Sequence, residues 1–330
     1  MSEPLLSVEN LTVTLDTRDG VLPVIDRLSF SLSAGESISL VGESGCGKSM
    51  TALALMGLVP KPVGKLSGGS IKFDGQVLSD LEESKLRRIR GNDISMIFQE
   101  PMTSLNPVFT VGEQIAEVLR EHQSMSRKSA FDSAIELLDS VHLPNPKQRA
   151  RDYPHQLSGG QRQRVMIAIA LACKPKILIA DEPTTALDVT VQAQIFELLR
   201  ELQTHTGTAI LLITHDMGAV AEMSERMLVM YAGRKVEEGS VSDVLNEPQH
   251  PYTRGLISCV PHLVQDNIDT LPPLEEIPGI VPSLKEFGQN RCLFESRCQR
   301  SSAQCSQERP KDVTNANGHT TACWNLGGTA

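Results

Sequence analysis

Four short runs along the chain are apolar almost without interruption: Ser37–Gly42 (SISLVG), Lys176–Asp181 (KILIAD), Ala209–Thr214 (AILLIT) and Arg226–Gly233 (RMLVMYAG). Strands without a polar face must be covered on both sides. Helical stretches separate these runs, so the pattern predicts an α/β fold with a mainly parallel core sheet. Leu6–Leu15 and Ser70–Leu78 instead alternate apolar with polar residues. Half-exposed antiparallel strands read this way, and the two stretches predict an antiparallel β subdomain. Phe131, Ile135, Leu138 and Val141 recur at helical spacing. Together with a helix expected near Thr110–Glu121, they predict an all-helical insert over about residues 100–160, ended by Tyr153–Pro154.

The periodicity fades after Cys259. Pro261–Pro282 holds five prolines and few periodic apolar positions, which reads as a linker or a loop-dominated segment. The expected division is a main domain over 1–259, followed by a Pro-rich linker and a four-cysteine extension over 260–330.

Composition narrows the field. The 330 residues are 40% hydrophobic and 22% charged, enough for a full-size core. The net charge is −9 and no Lys/Arg block dominates, which disfavours nucleic acid as the main partner. No apolar run reaches the ~18 residues of a membrane span, so a membrane role must run through partner subunits. The N-terminus has no basic-then-apolar leader pattern, and the expected compartment is the cytosol.

Three motifs carry chemistry. Gly42–Ser49 (GESGCGKS) follows an apolar strand and opens a helical stretch, the context of a phosphate-binding P-loop. Its backbone amides would cradle a β-phosphate, Lys48 would reach the β- and γ-oxygens, and Ser49 would ligate Mg²⁺. Ile177–Glu182 (ILIADE) ends an apolar strand in two acids. Asp181 is the expected Mg²⁺ ligand, and Glu182 the general base that polarises an attacking water. Gln99 and His215 also end strand-like runs, at the edge where open α/β sheets bind ligands. Leu157–Gln161 (LSGGQ) is a second anion-binding pattern, two glycines after a serine at the start of a helix.

In the order P-loop, Gln99, LSGGQ, ILIADE, Thr185–Asp188 (TALD) and His215, these motifs resemble the ATP-binding subunit of ABC transporters over about residues 5–260. The resemblance implies ATP and Mg²⁺ as cofactors. It implies nucleotide contacts from Gly42, Glu43, Ser44, Gly45, Cys46, Gly47, Lys48, Ser49, Met50, Gln99 and Asp181, with Ser49, Gln99 and Asp181 around Mg²⁺. Glu182, His215, Gln99 and Lys48 become the catalytic set. In that family two such domains pair head to tail, which explains two phosphate cradles in one chain. Ser158, Gly159, Gly160 and Gln161 would then cap the γ-phosphate held by the partner's P-loop.

Met96–Pro107, Tyr153–Leu171, Ile179–Ile195 and His250–Thr253 (HPYT) narrow the resemblance to the dipeptide, oligopeptide and nickel importer branch. That branch implies a second, similar or identical ATPase, two transmembrane permease subunits and an extracytoplasmic solute-binding protein. It places the chain on the cytoplasmic face of the bacterial inner membrane, with the helical insert receiving a permease coupling helix. No direct nucleic-acid partner is expected. The alternative is a soluble ABC-type ATPase acting on nucleic acid or ribosomes, but no long coiled coil or second ATPase module is present to favour it. In one departure, Leu15 stands where the family places an adenine-stacking aromatic, with Val24 nearby in sequence.

Cysteine usage leaves two further expectations. Cys292, Cys298, Cys305 and Cys323 are spaced C-x5-C-x6-C-x17-C. The spacing alone leaves an iron–sulfur cluster, zinc and free thiols open. With the resemblance, the expectation is a 4Fe–4S cluster. Cys46 sits within the P-loop and reads either as a small filler or as a redox-sensitive thiol, its pKa lowered by the loop amides and Lys48.

Overall fold

The computed structural model describes residues 3–99, 104–185, 187–260 and 276–326. Its strands are β1 Leu6–Thr17, β2 Gly20–Leu32, β3 Ser37–Val41, β4 Gly64–Phe73, β5 Gln76–Val77, β6 Ile94–Ile97, β7 Ile177–Asp181, β8 Ala209–Ile213, β9 Arg226–Tyr231, β10 Arg234–Ser240, β11 Val313–Thr314 and β12 Thr320–Thr321. The described residues divide into two compact units, one drawn from 1–6, 31–37 and 72–213, the other from 7–30, 38–71 and 214–330.

In the first unit β6, β7 and β8 lie side by side and parallel, with Ile94 opposite Ile177 and Ile177 opposite Ala209. Every residue of the three strands is buried, as their unbroken apolar runs require. Helices follow at Val111–Gln123, Arg127–Ser140, Pro146–Arg149, Gly159–Leu171 and Val189–Thr206. Thr110, Ser126, Ser158 and Asp188 cap four of them, each side-chain oxygen accepting an amide of the first turn. The buried stripe of Arg127–Ser140 is Ala130, Ala134 and Leu138, while Phe131 and Ile135 flank it half-buried. The neighbouring helix comes close: a Cβ on Gly112 would meet Phe131 Cε2 at 2.9 Å.

Ser70–Leu78 is not one strand. β4 ends at Phe73 and β5 returns antiparallel, with Phe73 opposite Gln76. Asp74 and Gly75 turn the chain with φ of 49° and 76°, the all-positive geometry that suits a two-residue hairpin. The Asp74–Gly75 pair interrupts the alternation and is itself a hairpin signal, which a reading of Ser70–Leu78 by its alternation alone passes over.

In the second unit β3 and β9 pair in parallel, with Ile38 opposite Arg226. β10 returns antiparallel to β9 through Ala232 and Gly233, at φ of 46° and 79°. β12 adds to β10, and β11 to β12. β2, β1 and β4 lie side by side in that order. Tyr231, Tyr252 and Phe294 form the aromatic centre of this unit, their ring centroids 4.6–5.4 Å apart.

β10 (RKVEEGS) has no apolar pattern, yet Glu237 is only 1% exposed. Its carboxylate accepts the amides of Gln249 and His250 and meets His319 Nε2 at 2.8 Å. Glu238 is held by Arg226 and Lys235. Buried charge survives here because each oxygen finds a donor. The expected linker Pro261–Pro282 lies outside the described residues as far as residue 275.

Candidate nucleotide-binding site

The loop after β3 is shaped by glycine. Gly42, Gly45 and Gly47 have φ of 152°, 80° and 106°. A Cβ on Gly42 would lie 2.2 Å from the Met230 carbonyl oxygen and 2.8 Å from Cys46 Sγ, so no other residue fits there without moving the backbone. Ser44 and Gly45 are exposed at the loop tip, and Ser49 and Met50 are half-buried on the helix Lys48–Leu55. Lys48 begins that helix and is 6% exposed. Its Nζ donates to the Gly42 and Glu43 carbonyls at 2.8 and 3.1 Å and approaches Cys46 Sγ at 3.9 Å. The two carbonyl acceptors are uncharged, so an anion in the cradle would supply a counter-charge that they do not. The residues therefore fit a nucleotide phosphate.

Glu43 is held from three sides. Its amide donates to Tyr252 Oη at 2.8 Å, its carbonyl accepts from Lys48, and its carboxylate takes a two-pronged ion pair from Arg297 at 2.8 and 3.0 Å. Tyr252 is itself placed by His250, whose Nδ1 accepts the Tyr252 amide and caps the helix Pro251–Ser258. The HPYT run is thus a structural device behind the loop. Neither Tyr252 nor Arg297 was legible as part of the site. Their partners lie more than 200 positions away, and no local pattern marks them.

The acidic strand end belongs to the first unit. Asp181 closes β7 and is buried. Glu182 has φ of 46° and donates its amide to the Ile213 carbonyl at 2.8 Å. Left-handed backbone at a residue with a long side chain carries strain of about 1–3 kcal/mol, and such strain collects at functional positions. The Glu182 carboxylate accepts from Gln99 Nε2 at 2.9 Å and from Thr185 Oγ1 at 3.0 Å. Gln99, Glu182 and Thr185 are therefore brought together. His215 lies in the other unit, exposed, just beyond Thr214.

LSGGQ forms a helix start. Ser158 Oγ accepts the Gln161 amide at 3.4 Å, and Gln161 Oε1 accepts the Ser158 amide at 3.1 Å, a reciprocal capping box. The two glycines differ in role. A Cβ on Gly160 would lie 2.9 Å from Val191 Cγ1, whereas one on Gly159 would meet Leu187 at an ordinary 3.6 Å. Close packing against the helix Val189–Thr206 thus accounts for Gly160.

Of the two cysteine readings, the one for Cys46 is decided in favour of a small filler and the cluster is corrected. The Cys46 thiol is buried, and burial pushes its pKa up despite the opposing pull of Lys48, so it is no activated thiolate. The 4Fe–4S cluster expected on Cys292, Cys298, Cys305 and Cys323 is not supported. Among the described residues no group of three or more His, Cys, Asp or Glu side chains is arranged to hold a metal ion. All four are free thiols, and burial pushes the pKa of Cys298 and Cys323 up and that of Cys292 up to about 12. Leu15 is half-buried, and the Val24 backbone lies against the loop, its carbonyl 3.1 Å from where a Gly47 Cβ would sit.

Comparison with known proteins gives the same picture. A family described as "ABC transporter" matches residues 25–185, and one described as "Oligopeptide/dipeptide transporter, C-terminal region" matches residues 236–305. The chain is 48% identical to a probable peptide ABC transporter ATP-binding protein of Sinorhizobium fredii (strain NBRC 101917 / NGR234), over 97% of this chain and 94% of that one. It is 50% identical to the oligopeptide transport ATP-binding protein OppD of Escherichia coli (strain K12), over 94% and 90% of the two chains. Among solved structures, the dimeric post-hydrolysis state of the ATP-binding cassette MJ0796 bound to ADP and Pi is similar, with a TM-score of 0.65 and 30% identity over 72% of this chain and 98% of that chain. The relatives are named as transport ATP-binding proteins, and none of these names refers to an iron–sulfur group. With a glycine-shaped phosphate loop, a buried lysine within it and near-full-length likeness at this identity, the chain belongs to the ATP-binding proteins of ABC transporters.

Proposed function

We propose that this chain is the ATP-hydrolysing subunit of a transporter that imports di- or oligopeptides through partner membrane subunits. The observation that carries the ATP reading is the buried Lys48, whose Nζ donates to the neutral Gly42 and Glu43 carbonyls inside a glycine-shaped loop. The peptide reading rests on the named relatives and on the C-terminal family match.

In this reading Gly42–Met50 bind the nucleotide phosphates, and Ser49, Gln99 and Asp181 hold Mg²⁺. When bound, Mg²⁺ would neutralise charge developing on the phosphate oxygens. Glu182 acts as general base, held in place by Gln99 and Thr185. Lys48 and His215 complete the catalytic set. Ser158–Gln161 face the nucleotide of a second ATPase subunit, similar or identical to this one. The helices between Gln99 and Leu157 form the insert that receives a permease subunit, and the exposed Phe98, Val108 and Phe109 supply apolar surface for it. Residues 260–330 form a C-terminal extension. Among the described residues no helix is long and apolar enough to cross a membrane, consistent with a peripheral subunit on a membrane-embedded partner.

Native membranes extracted in mild detergent test the reading. The expected result is co-purification with two multi-span subunits and a second ATPase, with an extracytoplasmic peptide-binding protein bound in the assembled complex. A chain recovered only with nucleic acid or ribosomes would overturn it in favour of the soluble ATPase.

A further inference from the structure

Arg297, far along the chain from the phosphate loop, sits against it with its side chain fully engaged. Its guanidinium is 6% exposed, and all five N–H donors are used. Nε donates to the Pro278 carbonyl at 2.8 Å and Nη2 to the Ile277 carbonyl at 3.3 Å. Nη1 donates to Tyr231 Oη at 3.3 Å, and the two remaining hydrogens grip the two Glu43 oxygens. The rings of Tyr231 and Phe294 each lie 5.8 Å from Cζ. The hydrogen bond to Glu43 is the largest cause holding the guanidinium even more firmly charged than usual.

The grip continues into the loop. Glu43 has its carboxylate on Arg297 and its carbonyl on Lys48 Nζ, so the tail arginine and the loop lysine are joined through a single residue. Tyr252 fixes the amide of the same residue. We infer that Arg297 is a positioning residue for the phosphate loop, through which the C-terminal extension sets the affinity for ATP. The inference rests on the reading of Gly42–Ser49 as the ATP loop. A loop held by Arg297 is already ordered when the phosphates arrive. One released from it must be ordered by the ligand, which weakens binding. The expected signature is a change in affinity rather than in the chemical step.

The test uses the full chain, titrated with a fluorescent ATP analogue and Mg²⁺, with turnover measured at saturating ATP. Arg297→Gln and Glu43→Gln should each raise Kd about tenfold, equivalent to about 1.4 kcal/mol. Arg297→Gln, which touches no nucleotide, should leave kcat within about twofold. The double variant should be no worse than either single variant, because both remove the same interaction. Arg297→Lys should restore affinity only in part, since an ammonium cannot make the fork. A merely structural role would lower the melting temperature and leave Kd unchanged in the folded fraction. Glu43 is partly exposed, so Glu43→Gln decides the matter if Arg297→Gln does not fold. Wild-type affinity in folded Glu43→Gln, or additive losses in the double variant, would overturn the inference. Absence of ATP binding by the wild type would overturn the underlying reading of the loop, and this proposal with it.

Discussion

His250 is 2% exposed, and its environment forbids a charge. Its Nδ1 accepts the Tyr252 amide at 3.0 Å, so a proton on that nitrogen would displace the helix cap. The Phe294 ring centroid lies 5.9 Å from that of the imidazole. Burial lowers the pKa from 6.5 to about 3. The folded chain therefore keeps a neutral imidazole across mildly acid pH, while the unfolded chain takes up a proton below 6.5. Stability from this group is unaffected above pH 6.5 and falls as the pH drops from there toward 3. Each pH unit in that window costs about 1.4 kcal/mol, so the loss between pH 8 and pH 5 is about 2 kcal/mol. His250→Asn keeps a side-chain oxygen able to cap the helix and removes the titration. Urea denaturation of wild type and His250→Asn at pH 8, 6.5 and 5 measures the effect. The wild type should lose about 2 kcal/mol relative to the variant on going from pH 8 to pH 5. A gap between the two proteins that stays constant across the range would refute the reasoning.

Three further outcomes are expected. Glu182→Gln keeps the hydrogen bond with Thr185 within reach but removes the base, so it should bind ATP while hydrolysis falls about 10²- to 10⁴-fold; turnover near wild type would reject the assignment. Gly160→Ala forces a Cβ against Val191 at 2.9 Å, and overpacking of about 1–3 kcal/mol outweighs a helix-propensity gain of about 1 kcal/mol. It should melt below wild type while Gly159→Ala does not, and equal melting of the two would refute the packing argument. Cys46 should alkylate slowly at pH 7, read by mass spectrometry of the labelled peptides, because it is buried and its pKa is raised; labelling ahead of the other cysteines would contradict this.

Parts of this molecule are written in short stretches of sequence. β3, β6, β7 and β8 bury every residue, so an unbroken apolar run was enough to find three of them, and helix caps lie within three residues of what they cap. The phosphate loop is legible for the same reason: its glycines and Lys48 act on one another across six positions or fewer.

Other features depend on residues far apart in the chain. β10 looks polar, yet it is buried because Glu237 meets donors at Gln249, His250 and His319. The pull of Lys48 on Cys46 was visible in sequence, but the burial that outweighs it was not. The tail cysteines could be counted, but whether they form a metal site depends on where the fold points them. Arg297 reaches Glu43 across 254 positions, and nothing near either residue announces the other. Sequence alone settled the elements whose partners are near neighbours or solvent. The charge state of a buried group and the partner of a distant one were decided only by tertiary structure, because desolvation and long-range pairing exist only once the chain has closed on itself.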